Sequence, residues 1–287
     1  MPDPQKMLAT LRRATDLFLA TPGREGAVIR LPDSAEEVLV VGDLHGNIPF
    51  FRHVLNRADL SNQPGRHLVL QELVHGKYHY PDDGGDRSHQ LVDLVAALKC
   101  QCPDRVHLIL GNHELSELTG RPIGKDGVML NALFQRGLET AYGTMAEAVR
   151  KAYLKLFRSL PLVVRTPNRV LLCHTIPEGH LIDQLDQEIL RTGVWTPESM
   201  TRNGTVYALT WGRDNSLETV DRFAKWFDVE LFITGHQPCD EGSLRPNPRQ
   251  IIIDGTDPYP TYCLFPARGP IDIDRLAEGV HTLSIQG

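Results

Sequence analysis

Six short apolar runs in this chain each stop abruptly at a residue suited to bind a cation or an anion, and that repetition limits the fold more than any other feature. In chain order the stops are Asp43 with His45, Glu72, Asn112 with His113, His174, Arg213, and His236. The first run, Val38-Leu39-Val40-Val41, is short, β-branched and free of polar alternation, the pattern of a strand covered on both faces. Gly42 and Gly46 then let the chain turn sharply around Asp43 and His45. In open α/β sheets ligands bind beyond the carboxyl ends of the strands, so these side chains stand where chemistry is expected. A lone histidine at a strand end is more often a hydrogen-bonded structural group. Several of them together with carboxylates, each just past an apolar run, call for convergence on one site.

With 287 residues and 41% hydrophobic content, the chain is long enough to bury a large core. No linker, repeat or low-complexity tract divides it, so one domain over residues 1–287 is expected, with a helical brace in 1–30 and a motif-bearing core in 38–254. A net charge of −6 gives no basic surface for a phosphate backbone, which sets nucleic acid aside as a partner. Five cysteines without regular spacing do not form a disulfide framework, and Cys100 and Cys102 lack a second ligand pair at zinc-site spacing. No run approaches the roughly 18 apolar residues of a membrane span, and the N-terminus has no signal-peptide core, so a cytoplasmic, reducing location is expected.

Local patterns fill in the elements. Residues 4–20 read as an amphipathic helix closed by Thr21-Pro22-Gly23. Asn47 caps a helix with Phe50, Phe51, Val54 and Leu55 on its buried stripe, and Ser88 caps another with Leu91, Val92, Val95 and Leu98 inward. Residues 74–87 fit no regular element and form a polar, aromatic loop. Residues 115–158 read as helical without a strand. Strands are expected at 162–164 and 170–173 about a Pro167-Asn168 turn, then at 206–211, 231–234 and 251–253. His53, His67, His75, His79, His89, His107, His180 and His281 are assigned structural roles.

The ordered strings G-D-L-H-G-N (42–47), D-R-S (86–88), G-N-H-E (111–114), L-L-C-H (171–174) and G-H-Q (235–237) resemble the calcineurin-like metallophosphoesterases. The similarity is closest to their serine/threonine phosphoprotein phosphatase branch. It covers roughly residues 38–253 and includes Leu156-Phe157-Arg158-Ser159-Leu160-Pro161. It implies a four-layer α/β/β/α sandwich of mixed sheets with helices outside. It also implies two metal ions, manganese, iron or zinc, one held by Asp43 and His45 and the other by Asn112, His174 and His236. A carboxylate bridges the two in that family. Glu72, directly after an apolar run, is favoured here over Asp83, which has the family's spacing to Asp86-Arg87 but follows a segment that Pro81 bars from a central strand.

Two cations about 3.5 to 4 Å apart acidify a shared water and neutralise phosphoryl oxygens, which is the chemistry of phosphomonoester hydrolysis. By the same resemblance His113 protonates the leaving group, Asp86 orients His113, and Arg87 and Arg213 grip the phosphoryl group. Phosphoprotein serine or threonine is the implied substrate. A nucleotide hydrolase of the diadenosine polyphosphate type and a catalytically silent metal-binding scaffold are the alternatives. The chain departs from the branch in having Leu110 where an arginine precedes G-N-H-E, Thr175 where a glycine follows the metal histidine, and an added loop at 73–85.

Overall fold

The computed structural model describes residues 3–125 and 127–284, and it is a sandwich of two mixed sheets between layers of helices. In the five-stranded sheet, Glu37–Val41, Arg66–Gln71 and Val106–Ile109 run parallel, in that order. Thr261–Pro266 pairs antiparallel with the free side of Glu37–Val41, and Val280–Thr282 closes that edge. The seven-stranded sheet holds Val163–Arg165 antiparallel to Val170–Cys173, followed by Leu231–Thr234 and Gln250–Ile253 in parallel. Arg24–Glu25 with Val28–Arg30 lies at one edge and Ser243–Asn247 at the other.

Apolar runs without alternation are explained by what covers each face. Val38, Val40, Val69 and Ile109 point between the sheets and meet Val164, Leu172, Ile233 and Ile251 from the other side. Leu39, Val41, Leu68, Leu70 and Leu108 point outward into a second core with Phe50, Val54, Leu91 and Val95 from the flanking helices. Phe232 of the seven-stranded sheet stacks on Phe223 of the helix Leu217–Phe227 at 5.6 Å. Because the motif-bearing strands run parallel within each sheet, their carboxyl ends emerge at one edge of the sandwich.

Asn47 caps the helix Ile48–Ala58 by accepting from the Phe50 backbone N–H, as its side chain suggests. The N-terminal helix Pro4–Leu19 buries Leu11, Ala14 and Phe18 and packs on the helices His89–Gln101 and Ala146–Arg158. Ser88 does precede the helix His89–Gln101, but its hydroxyl serves Asp86 and the His75 N–H instead of the helix.

Two further expectations are corrected. Residues 206–211 belong to the helix Thr205–Trp211, headed by Gly204. The run is apolar because the helix is buried nearly all round, and burial on all sides erases the period that separates helix from strand. Tyr207 and Trp211, one turn apart, stack at 5.7 Å. In the region expected to lack strands, Gly124–Lys125 and Val128–Met129 pair as a small hairpin. Among the described residues, no helix is long and apolar enough to cross a membrane.

Candidate metal centre

At the shared edge of the sheets, Glu72 is the residue common to two clusters of potential ligands, His45 with His113 and Asp43 with His174. It leaves the strand Arg66–Gln71 at φ 50, and His45, His75 and His236 also adopt positive φ, at 40, 64 and 68. Left-handed backbone at non-glycine residues is costly, and it persists where surrounding structure holds a functional side chain in place. The glycines beside them leave room: a Cβ on Gly235 would fall on Asp43 Oδ1, and one on Gly111 would fall on Glu72 Oε2.

Hydrogen bonds set which ring nitrogens face inward. Gln71 Nε2 donates to the Val41 carbonyl at 3.0 Å, so its Oε1 accepts from His174 Nδ1, also at 3.0 Å. The lone pair of His174 Nε2 then faces Asn112 Oδ1 at 2.9 Å and Glu72 Oε2 at 2.7 Å. His236 Nδ1 lies 2.7 Å from the same Asn112 oxygen, and its backbone N–H donates to Asp43 Oδ2 at 2.8 Å. His45 Nδ1 donates to the Val74 carbonyl at 2.8 Å and leaves Nε2 free. Asp43 Oδ1 and Glu72 Oε2 are buried without any hydrogen-bond partner.

A buried carboxylate oxygen without a donor is unfavourable unless a cation meets it. Here the Asp43 and Glu72 oxygens, the Asn112 amide oxygen and the lone pair of His174 Nε2 converge, and oxygen with nitrogen donors and no thiolate suit first-row metal ions. The donor set therefore fits a metal pair.

Charge follows the same geometry. Burial, and then the nearness of Glu72 and Asp254, pushes Asp43 well above the usual carboxylate range; burial likewise raises Glu72. Glu114 is pushed up to about 8, first by burial and then by Glu72, although its Oε1 accepts from the Leu73 and Val74 N–H groups. Burial lowers His174 to about 3, and burial followed by the charge of His174 lowers His236 to about 2. Both imidazoles are neutral at physiological pH, the form in which a histidine binds metal. His113 is also held well below its ordinary value, by burial and then by His45 and His75.

The cleft over these residues encloses about 500 Å³, with Lys77, Tyr78, Ile123, Trp211, Arg213 and the hairpin residue Gly124 on its walls. Arg213 Nε stands 3.2 Å from His236 Nε2. Lys77 is paired with Asp257 at 2.5 Å.

Of the residues singled out from sequence, Asp43, His45, Glu72, Asn112, His113, His174, Arg213 and His236 meet here. Asp83 does not: it is exposed, and its carboxylate is bound to Thr140 and to the Gly85 N–H. Arg87 is a correction. It is exposed, lies over the Tyr80 ring at 5.6 Å, and is not among the cleft-lining residues.

The assignment of Asp86 as the partner of His113 is corrected as well. Asp86 Oδ1 accepts from the Ser88 N–H at 2.7 Å, and Oδ2 accepts from the Ser88 hydroxyl at 2.8 Å and the Gly76 N–H at 3.2 Å. His113 Nδ1 instead meets His75 Nδ1 at 2.9 Å. His75, assigned a structural role from sequence, thus belongs to the site, together with Gln71, Glu114 and Glu117. A signal for His75 was present: it stands three residues after Glu72, as Asp86 stands after Asp83.

The model of the calcineurin-like phosphoesterase family matches residues 37–240. A protein named probable serine/threonine-protein phosphatase from Encephalitozoon cuniculi is 26% identical over 230 residues, 73% of this chain and 44% of its own length. A PP2A-like serine/threonine-protein phosphatase of Candida albicans is 25% identical over 229 residues, 71% of this chain and 48% of its own. The chain therefore spans about half the length of these curated relatives. Among solved structures, a protein serine/threonine phosphatase from Saccharomyces cerevisiae with similarity to human phosphatase PP5 superposes with a TM-score of 0.73. That match is 16% identical and covers 100% of this chain and 90% of the other, a likeness of fold.

Proposed function

Because the chain belongs to the calcineurin-like phosphoesterase family, we propose that it hydrolyses phosphomonoesters in the cleft around Glu72, with phosphorylated serine or threonine of a protein as substrate. The observation that carries the reading is the pair of orphaned oxygens, Asp43 Oδ1 and Glu72 Oε2, facing the ring nitrogens of His174. Asp43, His45 and Glu72 would hold one cation, and Glu72, Asn112, His174 and His236 the other. When bound, such a pair supplies an acidified water and positive charge against the phosphoryl oxygens.

The chain's own side chains do the rest. Arg213 presents a planar guanidinium on the cleft wall, suited to two phosphoryl oxygens at once. His113 turns Nε2 into the cleft, 3.5 Å from Glu72 Oε1, and gives a proton to the departing oxygen. Trp211, Leu130 and Ile123 are apolar walls that thin the water around these groups. The protein-phosphate substrate is supported by what the two matched relatives are named.

The test is turnover of a phosphoserine peptide, p-nitrophenyl phosphate and a dinucleoside polyphosphate with added manganese. Hydrolysis of the two monoesters is expected. Turnover of the dinucleoside polyphosphate alone would overturn the substrate class, and no turnover of any of the three would overturn the activity.

A further inference from the structure

His113 and Glu117 lie one turn apart on the helix Asn112–Thr119, so their side chains share a face. His75 stands between them, with Nδ1 2.9 Å from His113 Nδ1 and Nε2 2.9 Å from Glu117 Oε1. A carboxylate only accepts, so the hydrogen on that second contact belongs to His75 Nε2. In the neutral ring Nδ1 of His75 is then an acceptor, and the hydrogen on the first contact belongs to His113. Glu117 is fixed in turn by Asn131 Nδ2, which donates to the same oxygen at 2.7 Å.

We infer that His75 and Glu117 are positioning residues for His113, forming a hydrogen-bonded chain Asn131–Glu117–His75–His113 that fixes the orientation and tautomer of the proton donor. The inference rests on His113 acting as that donor. Donation from Nε2 forms an O–H bond on the departing oxygen as the N–H bond breaks, while Nδ1 keeps the hydrogen that faces His75. The neutral ring left behind keeps hydrogen on Nδ1, the tautomer that His75 accepts from. The chain therefore keeps the reactive nitrogen facing the cleft.

A second observation points the same way. His75 is held at φ 64, a conformation that persists only when its surroundings over-determine it. Its N–H donates to Ser88 Oγ at 3.0 Å, the next N–H donates to Asp86, and the Phe134 ring covers its flank at 5.8 Å. Asp86 thus acts one step back, by building the turn that places His75. The side chain of His75 is fully buried and that of Glu117 is 6% exposed, so the pair is not a solvated ion pair of the helix surface.

The experiment compares kcat/KM on p-nitrophenyl phosphate, whose leaving group departs without a proton, with kcat/KM on a phosphoserine peptide, whose leaving group requires one. His75→Asn is expected to lose at least about tenfold more rate on the peptide than on the aryl ester, and Glu117→Gln to lose in the same sense, within the range that general acids contribute. His75→Asp with Glu117→Gln, which sets a carboxylate against His113 without a second one behind it, is expected to recover part of that ratio. Nitrogen-15 NMR of the metal-free protein is expected to find hydrogen on His113 Nδ1 and on His75 Nε2. Equal losses on both esters in Glu117→Gln, or hydrogen on His113 Nε2 in the neutral ring, would overturn the inference. A wild type that hydrolyses neither ester would overturn the functional reading instead.

Discussion

Glu72→Gln separates the metal-holding role proposed for this residue from its packing, because the two side chains have nearly the same shape. Atoms of Asp43, Glu72 and His174 lie within 4.8 Å of one another, and one oxygen of each carboxylate has no donor. Two full negative charges at that separation repel by about 3.5 kcal/mol at an effective dielectric of ~20. Uptake of a proton by one of them limits this cost, in line with the raised values of both groups. The relief at pH 7 is therefore about 1–3 kcal/mol. An amide nitrogen at the place of Oε2, 2.7 Å from His174 Nε2, also supplies the missing donor and adds about 1 kcal/mol.

In the presence of a chelator, Glu72→Gln is thus expected to unfold at higher urea than the wild type, with an unfolding free energy greater by about 2–4 kcal/mol. Without chelator, its bound metal measured by mass spectrometry is expected to fall from two equivalents to one or fewer, and its phosphatase rate to fall with it. A variant less stable than the wild type in chelator, or one that keeps two equivalents, would refute the reasoning. The gain in stability would show that the carboxylate is kept for the metals and not for the fold.

His67 and His107 share a hydrogen bond of 3.0 Å between neighbouring strands, and burial lowers His67 to about 4. The unfolded chain takes up this proton near pH 6.5 and the folded one only near 4, so the stability it confers is present above pH 6.5 and lost on acidification through that window, by about 3 kcal/mol. Urea unfolding at pH 7 and pH 4.5 should show a shallower loss in His67→Gln than in the wild type; equal losses would refute it. For substrate binding, Arg213→Ala should raise KM for a phosphomonoester about tenfold or more, whereas Arg87→Ala, outside the cleft, should leave KM within about twofold. The reverse order would return Arg87 to the site.

Most of the frame of the candidate metal centre was legible because it is built on strands buried on both faces. Such strands are written as unbroken apolar runs, and a charged residue at their end has no core reason to be there. The runs before Asp43, Glu72, Asn112, His174 and His236 obey this rule. The helix Thr205–Trp211 has the same apolar look for another reason, burial on every side, and so it passed for a strand while still delivering Arg213. The strand Thr261–Pro266 carries a proline and a cysteine among its apolar residues and lies outside the motif-bearing stretch, so nothing marked it as the neighbour of Glu37–Val41.

The partners of His113 were hidden by a different effect. His75 follows a positive-φ turn and not an apolar run, and Glu117 looks like any acid on an exposed helix. Their meeting depends on the angle at which the helix Asn112–Thr119 leaves its strand. Asp86-Arg87 misled because its local string is intact, while the structure spends the Asp86 carboxylate on the loop and turns Arg87 to the surface.

The central claim is that Glu72 lies between two cations held by Asp43 and His45 on one side and by Asn112, His174 and His236 on the other. Anomalous X-ray diffraction from crystals grown with manganese tests it most directly. Two peaks about 3.5 to 4 Å apart are expected, both in contact with Glu72. A single peak, or peaks lying away from Glu72 and His174, would contradict the account.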